Sequence, residues 1–278
     1  MFWNPYSLPA IIGGIALYFV GIRFYAMRIK RGWQWAIAVA ILLSCLPALS
    51  FDLYYAHLVE VPGWYIAFRS LTGIESLAMC WGLLFGFITA RVVVAQAKSV
   101  LLATHGLAVA LMLCCVAVPF VKPVLHPIET VKPLQNVWQQ QVCRQTCGST
   151  CGPASLATIL AYFGRHATER EIARGTYAST TGTELWYLLR YARRHGLRPS
   201  CLPPRKLTDI TFPAIVGVTA GDIGPFARSG HFITVLGQYP DGRYCIGDPL
   251  SGRELLTELK FQQIYGHICD VVEFSTQP

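Results

Sequence analysis

The sequence predicts an all-α membrane region of four helices, followed by an α+β domain in which helices precede an antiparallel sheet. Apolar residues crowd into the first 121 of the 278 positions, which carry seven Lys/Arg and three Asp/Glu, against sixteen and twelve in the remainder. After that point a helical period comes first, and short apolar runs separated by turn residues follow. Helices followed by hairpin-linked strands indicate an α+β fold rather than a βαβ winding.

These observations divide the chain into three parts. We expect a four-span transmembrane region over residues 1–121, a proline-containing linker over 122–141 and a folded domain over 142–278. The linker has three prolines between residues 121 and 141, so we expect it to be extended.

Four apolar segments in the first part are each close to the ~20 residues that cross a bilayer. They cover about 8–25, 33–50, 71–94 and 100–120. The stretch 51–69 is interrupted by acidic residues and Pro62, so we expect an interfacial segment rather than a fifth span.

Basic residues in short loops predict the orientation of these spans, because such loops stay in the cytoplasm. Arg28, Lys30 and Arg31 follow the first span, and Arg91 and Lys98 lie between the third and fourth. The loop between the second and third spans has one base, and the N-terminal tail has none. We therefore expect the N-terminus and the domain after the fourth span to face outward.

The net charge of +8 does not indicate a nucleic-acid-binding protein. The charge divides evenly between the two halves, and no Lys/Arg stripe interleaved with aromatic residues occurs. We expect a lipid bilayer as one partner and no nucleic acid.

The second domain is organised around a cysteine at a predicted helix start. Cys151 is followed by Gly-Pro and by apolar residues at helical spacing, and Gly164 is a helix stop. Unpaired backbone N–H groups at a helix N-terminus favour a thiolate over a thiol. Gln145 stands six residues before this cysteine. The spaced apolar residues are Leu156, Ile159, Leu160 and Phe163.

The remaining elements follow in order along the chain. Thr168 and Glu171 form the pattern of a capping box at a short helix, and residues 183–196 predict a longer helix. Strands are expected over 213–218, 231–236, 243–246 and 271–274, and a helix over 258–266. Turn signals lie at 221–222, 229–230 and 239–242.

Several of these motifs together carry a resemblance. Gln145 and Cys151 at their spacing open the stretch CGPASLATILAYFG, and Gly182-Thr183-Glu184-Leu185 follows it. His231 begins HFITVLG, and Asp248 stands in GDPLSG. In this order the motifs resemble the bacteriocin-processing cysteine peptidases, a papain-like family fused to peptide-exporting ABC transporters that cuts leaders after a double glycine. The resemblance covers about residues 141–273.

The resemblance implies a papain-like domain and a role for each of four residues. Cys151 would be the nucleophile, His231 the general base and later acid, and Asp248 the group that orients the imidazole. Gln145 would donate an amide N–H to the oxyanion, together with the Cys151 backbone N–H. No cofactor and no metal is implied, and the partner implied is a peptide or precursor-protein substrate.

The chain departs from that family in three respects. Four spans replace the ABC transporter, Thr150 stands where the family often has an acidic residue, and the predicted topology places the domain outside. We therefore expect a multi-pass protein of the bacterial inner membrane whose peptidase domain is periplasmic. Its expected substrates are exported peptides or pilin-like precursors, with a secretion or pilus-type assembly apparatus as a further partner.

Two alternatives to this function stay open at the level of sequence. In the first, the domain is a non-catalytic module that binds a leader peptide for an export or assembly machine. Cys143, Cys147 and Cys151 recur every four residues, which is a spacing that a metal site could use.

The other cysteines leave a further choice. A disulfide among Cys143, Cys147, Cys201, Cys245 and Cys269 would suit an oxidising compartment, and the sequence does not specify the pair.

Overall fold

The computed structural model describes residues 3–26, 31–56, 58, 62–93, 98–128, 134–219 and 230–276. The chain forms two compact units. One unit contains Trp3–Val61 and Gly73–Lys122, and the other contains Pro62–Thr72 and Pro123–Pro278. The loop charges used to orient the spans at Arg28 and Lys30, and the side chains of Arg31 and Lys98, lie outside the described residues.

The first unit is built from helices. These are α1 (Ser7–Ala26), α2 (Arg31–Ser44), α3 (Leu46–Tyr55), a 3-10 helix (Ile74–Cys80) that continues into α5 (Trp81–Val93), and α6 (Lys98–Leu125), whose last residues belong to the other unit. The short helix α4 (Gly63–Arg69) lies between α3 and the 3-10 helix in sequence and belongs to the other unit.

Among the described residues, three helical segments are long and apolar enough to cross a membrane: Ser7–Ala26, Ile74–Val93 and Val100–Leu125. The predicted second span is bent by 43° between α2 and α3, and the pair makes a fourth span if it is taken as one. The bend has a local cause. Pro47 lies in the first turn of α3 and has no N–H to continue the hydrogen-bonding of α2.

Glycines let α1 and α5 approach each other closely. A Cβ atom at Gly82 would collide with the carbonyl oxygen of Gly14, and one at Gly86 would collide with the carbonyl oxygen of Tyr18. Small residues at such crossings allow backbone-to-backbone packing, which is the common way in which membrane helices associate.

The second unit contains an antiparallel sheet, as predicted, and the sheet has six strands. Its strands are β3 (Leu197–Leu202), β4 (Ala214–Val218), β5 (His231–Gln238), β6 (Tyr244–Asp248), β7 (Gly252–Leu256) and β8 (Ile268–Thr276), in the order β3-β8-β4-β5-β6-β7. A separate hairpin pairs β1 (Val137–Gln139) with β2 (Val142–Arg144).

The helices of this unit are α7 (Cys151–Tyr162), α8 (Glu169–Gly175), α9 (Leu185–Arg194) and α10 (Glu258–Tyr265). Nine consecutive residues of α7, from Gly152 to Leu160, are buried, so this helix is the central one. The capping box that the sequence predicts at Thr168 and Glu171 is confirmed, with both of its hydrogen bonds present.

The C-terminal end of α4 is held by two arginines of α9. Arg190 donates to the carbonyl oxygens of Arg69 and Leu71 at 2.9 and 2.6 Å. Arg193 donates to the carbonyl and hydroxyl oxygens of Ser70 at 3.1 and 2.6 Å. Carbonyl groups at a helix C-terminus lack intrahelical donors and carry partial negative charge, so guanidinium groups stabilise them. The stretch 51–69, expected to be interfacial, therefore ends in a segment that packs on α9.

The linker, residues 122–141, was expected to be extended, and this is wrong at both of its ends. The helix α6 continues to Leu125 and contains Pro123 in its last turns, where a missing N–H removes only one bond. At the other end β1 forms a hairpin whose turn residues, Gln140 and Gln141, have φ of 49° and 68°. A Gln-Gln pair is not one of the residue pairs that usually signal such a turn. The predicted boundaries 1–121, 122–141 and 142–278 stay a prediction.

Besides β1 and β2, two strands of the six-stranded sheet were not predicted, β3 and β7, because Leu197–Leu202 contains a proline and Gly252–Leu256 contains two charged residues. The helix expected over 183–196 begins at Leu185 with Glu184 preceding it, rather than with Thr183 as its cap. The predicted turn at Gly221-Asp222 and residue Ser229 lie outside the described residues.

Candidate active site

Cys151 is the first residue of α7, as the sequence predicts, and its side chain is partly buried. Pro153 follows within the first turn, where the absence of an N–H has no cost. Gly152 lies against α9 and β5. A Cβ atom there would come within 3.0 Å of Leu188 and 3.4 Å of Phe232, so the second position of this helix needs a small residue.

His231 is the first residue of β5 and only 6% of its surface is exposed. Its Nε2 lies 2.8 Å from Oδ1 of Asp248. The imidazole is also hydrogen-bonded to the Cys151 side chain. Because Nε2 is occupied by Asp248, Nδ1 is the ring nitrogen that remains for the sulfur. The structure therefore places His231 between Cys151 and Asp248.

Asp248 ends β6, the strand that pairs with β5. The register pairs Thr234 with Gly247, so the first residue of β5 and the last residue of β6 lie at the same end of these two adjacent strands. The Asp248 carboxylate has two further donors. Oδ1 accepts from the backbone N–H of Leu250 and Oδ2 accepts from the hydroxyl of Tyr265, both at 2.8 Å.

The electrostatics of this pair favour the charged forms of both groups. Burial alone would lower the pKa of His231, but its hydrogen bonds to Asp248 and Cys151 outweigh burial and raise the pKa to about 9. Burial alone would raise the pKa of Asp248, but the hydrogen bond and charge of His231, with the donors Leu250 and Tyr265, hold that pKa below its usual value. An imidazolium beside the sulfur of Cys151 is the arrangement that stabilises a thiolate.

Gln145 follows β2 and is tied to the turn after Asp248. Its backbone N–H donates to the Pro249 carbonyl at 2.9 Å, and Nε of Arg144 donates to the same oxygen at 3.1 Å. The side-chain Nε2 of Gln145 donates to the Cys147 carbonyl at 3.0 Å. An amide nitrogen carries two hydrogens, so one remains for another acceptor.

The loop between Gln145 and Cys151 is anchored by a buried carboxylate. Glu169 is fully buried and accepts from the backbone N–H and the hydroxyl of Thr146, at 2.9 and 2.6 Å. The Thr150 hydroxyl donates to the Cys147 carbonyl at 2.9 Å. These bonds fix the path of the chain between the two predicted site residues.

Two residues of the site were not singled out from the sequence. Ser155 of α7 donates to the carbonyl oxygen of Phe232 at 3.0 Å, which joins the helix of Cys151 to the strand of His231 one residue beyond it. Tyr265 ends α10, and the sequence predicts that helix but contains no signal that its last residue reaches Asp248.

The other cysteines lie apart from this arrangement. All ten cysteines are free thiols, and the described residues contain no group of three or more His, Cys, Asp or Glu side chains that could hold a metal ion. Burial, with a smaller contribution from Glu169, raises the pKa of Cys143 to about 12. The Cys147 side chain packs against a small apolar cluster that contains Ile128 and Ala173.

Comparison with known proteins gives a family for this part of the chain. The Peptidase C39 family matches residues 139–274. An uncharacterized protein of Methanothermobacter marburgensis is 30% identical over 132 residues, which are 48% of this chain and 87% of that protein. An uncharacterized protein of Methanothermobacter thermautotrophicus is 30% identical over 138 residues, which are 50% of this chain and 92% of that protein.

Solved structures of peptidase domains are also similar. The peptidase domain of Streptococcus ComA, described as a bi-functional ABC transporter of a quorum-sensing pathway, is 21% identical with a TM-score of 0.40, over 48% of this chain and 96% of that one. A double glycine motif protease from an AMS/PCAT transporter, solved in complex with a leader peptide, is 21% identical with a TM-score of 0.39, over 52% of this chain and 93% of that one.

Proposed function

Because the chain belongs to the peptidase C39 family, we propose that it is a membrane-anchored cysteine endopeptidase that cleaves leader or precursor peptides of exported proteins. The observation that carries this proposal is the hydrogen-bonded series Cys151–His231–Asp248, in which a buried imidazole joins a partly buried thiol to a carboxylate. A domain that only binds a leader peptide has no need of this series.

The proposed reaction begins with the thiolate of Cys151 attacking the carbonyl carbon of the scissile bond. The proton that His231 holds passes to the leaving amine, and the amine departs as the acyl-enzyme forms. Water then attacks the thioester, His231 takes a proton from the water and keeps it, and the sulfur departs as the thiolate, which restores the starting pair. Asp248 keeps the imidazole oriented and its charge balanced through both steps.

The oxyanion that develops in each step needs donors. We assign this role to the Cys151 backbone N–H and to the second Nε2 hydrogen of Gln145. The hydrogen bonds of Gln145 to Pro249 and Cys147 support the assignment, because they fix both its backbone and its side chain.

The three or four apolar helices long enough to span a membrane support the proposal that the chain is anchored in a bilayer. We place the peptidase domain on the periplasmic side of a bacterial inner membrane, on the charge distribution of the loops, and propose a secretion or pilus-type assembly apparatus as its partner. Cleavage after a small residue or a double glycine is the proposed specificity.

Co-expression tests the proposal. The genes beside this one are searched for small precursors with Gly-Gly or Gly-Ala junctions. Each precursor found is expressed with the wild-type protein or with Cys151→Ala, and its mass is measured. We expect a shortened product with the wild type and an intact precursor with the variant. Shortening of the precursor by Cys151→Ala to the same extent would exclude the mechanism.

A leader-binding domain without activity is the competing function, and thiol chemistry distinguishes the two. We expect iodoacetamide to alkylate Cys151 at mildly acidic pH faster than the other nine cysteines, and this preference to disappear in His231→Ala. Equal alkylation of Cys151 in both proteins would favour the binding module.

A further inference from the structure

Tyr265 brings a fourth side chain to the Cys151–His231–Asp248 series, from an element that lies outside the recognisable motifs. It is the last residue of α10 and is 5% exposed. The next residue, Gly266, has φ of 68° and ends the helix in a backbone conformation that favours glycine. The phenol ring packs on Phe261, with ring centroids 5.1 Å apart, inside the core of the sheet.

The hydroxyl of Tyr265 donates to Oδ2 of Asp248 at 2.8 Å in a buried environment. The other carboxylate oxygen, Oδ1, faces Nε2 of His231 and the N–H of Leu250. The two carboxylate oxygens thus accept hydrogen bonds from different donors. Rotation of the Asp248 side chain would break all three of these hydrogen bonds. When a buried carboxylate oxygen loses its hydrogen-bond donor, no other interaction offsets the free energy spent in removing that oxygen from water.

Tyr265 acts in this contact as a donor. Burial raises the pKa of Tyr265 well above its usual value, and the charge of Asp248 raises it further, so the phenol stays protonated wherever Asp248 is ionised. A protonated phenol beside an ionised carboxylate forms a charge-assisted hydrogen bond, which is stronger than a bond between neutral groups.

We propose that Tyr265 is a positioning residue that fixes the Asp248 carboxylate and, through it, the imidazole of His231 against Cys151. This proposal rests on the proposed peptidase function, since it assigns a role within the same site. Tyr265 touches neither the sulfur nor the substrate carbonyl in this role and acts only through Asp248.

The proposal predicts a change in the reactivity of Cys151 rather than a general loss of structure. In Tyr265→Phe the carboxylate loses a donor that favours its ionised form, so it becomes protonated at higher pH and supports the imidazolium less as the pH falls. We expect iodoacetamide alkylation of Cys151 at pH 5 to slow by roughly three- to ten-fold, the effect of about one hydrogen bond. The acid limb of the pH profile should move to higher pH.

The experiment measures this profile for the full-length protein in detergent, by mass spectrometry of the Cys151 peptide. The variants are Tyr265→Phe, Asp248→Asn and the double variant, with Tyr244→Phe as the matched control. Tyr244 is also a buried tyrosine of the sheet core, 2% exposed, and its ring packs on Phe212. We expect Tyr244→Phe to match the wild type and the double variant to match Asp248→Asn.

Two outcomes would contradict the proposal, and a third would contradict the function on which it rests. A Tyr265→Phe profile that superimposes on the wild type, while Asp248→Asn changes it, would overturn the role of Tyr265. Slowing in the double variant beyond Asp248→Asn would show that Tyr265 acts by another route. A profile that Asp248→Asn leaves unchanged would instead remove the basis of the proposed function.

A second substitution covers the case in which Tyr265→Phe does not fold. Site-specific replacement of Tyr265 by 3-fluorotyrosine keeps the ring in place and makes the hydroxyl a stronger donor. We expect this protein to show an acid limb moved to lower pH, opposite in sign to Tyr265→Phe. A limb that stays at its wild-type position would overturn the proposal.

Discussion

At the scale of single residues, the imidazole of His231 is the group on which the site depends. It is buried, and burial by itself disfavours a charged ring, yet Asp248 and Cys151 raise its pKa to about 9. A raised pKa means that the native state binds this proton more tightly than the unfolded chain does. The stabilisation that results is complete below the ordinary histidine pKa of 6.5 and is lost as the pH rises through about 9.

Titration of His231 by NMR tests this electrostatic account. In protein labelled with ¹³C-histidine, and with the His231 resonance assigned from His231→Gln, we expect a midpoint near 9 in the wild type. In Asp248→Asn the midpoint should fall by about one to two units, because a hydrogen bond and a negative charge next to the ring are removed.

The control is the resonance of His195, whose ring stacks on Tyr191 at 4.1 Å between ring centroids. At each pH this resonance should be the same in the wild type and in Asp248→Asn. A His231 midpoint that is the same in both proteins would contradict the contact with Asp248 as the cause of the raised pKa.

Gln145 gives a prediction that separates oxyanion stabilisation from thiol activation. We expect Gln145→Ala to lower kcat for precursor cleavage by about a hundred- to a thousand-fold, corresponding to ~2.7–4 kcal/mol of transition-state stabilisation. Alkylation of Cys151 by iodoacetamide should stay at the wild-type rate, because the variant keeps Cys151, His231 and Asp248. A parallel loss of alkylation and cleavage would assign Gln145 to thiol activation or to structure instead.

At the scale of elements, α7 and β5 hold the site together through few but specific contacts. The Ser155 hydroxyl donates to the Phe232 carbonyl in a partly buried position, one residue beyond His231. Gly152 leaves room for Leu188 and Phe232 to pack against the first turn of the helix. The position of the sulfur relative to the imidazole therefore depends on this contact between helix and strand.

Ser155→Ala tests that dependence. Loss of the hydrogen bond should lower the free energy of unfolding by about 1 kcal/mol. Loosening of α7 against β5 should also slow Cys151 alkylation at pH 6. Ser149→Ala is the control, since the Ser149 hydroxyl donates to the Thr180 carbonyl and not to β5. Equal slowing in both variants would contradict a specific role for the contact between α7 and β5.

The segment Pro62–Thr72 gives a second prediction at this scale. Arg190 is 3% exposed and donates to two carbonyl groups at the end of α4, so Arg190→Gln should release the segment from α9. We expect the opening free energy of the amides of α4 to fall by about 2–3 kcal/mol, because hydrogen bonds from a charged donor are lost.

Hydrogen–deuterium exchange of residues 63–70 measures this release. Arg194→Gln is the matched control, because Arg194 lies at the same helix end and is exposed. Exchange that Arg190→Gln leaves at the wild-type rate would show that α4 is held by other contacts.

Local patterns in the sequence predicted part of this fold, whereas contacts between elements far apart in the chain were not predicted. The helix of Cys151, the capping box at Thr168 and the pairing of the strands of His231 and Asp248 rest on local patterns, and the structure has each of them. The contact of Tyr265 with Asp248 joins residues on two elements, and no local pattern encodes it.

The same reason explains other differences. The docking of α4 on α9 joins residues more than 100 positions apart. The turn at Gln140 and Gln141 has positive φ at residues that seldom adopt it, so neither composition nor spacing marks the hairpin.

At the scale of the whole molecule, the proposed orientation of the chain in a membrane is the feature to test. The hydrogen bonds between α9 and residues 69–71 require that the segment Pro62–Thr72 and the domain lie on the same side of a bilayer. The basic loops of the sequence predict the outer side for both.

Reporter fusions test this orientation. We expect alkaline phosphatase joined after Thr276 to be active in a bacterial host, and a reporter inserted in the loop of Arg28 and Lys30 to behave as cytoplasmic. A single cysteine placed at Trp64, which is 71% exposed, should react with a membrane-impermeant maleimide in intact cells. Labelling of Trp64→Cys only after the cells are opened would reverse the assignment.

The central proposal is that Cys151 cuts peptide bonds in exported proteins. Its most direct test is quantitative sequencing of protein N-termini in cells that carry either the wild-type gene or Cys151→Ala. The account predicts a small set of N-termini in exported proteins, generated after small residues, that are present with the wild type and absent with the variant. Identical sets of N-termini in the two strains would contradict it.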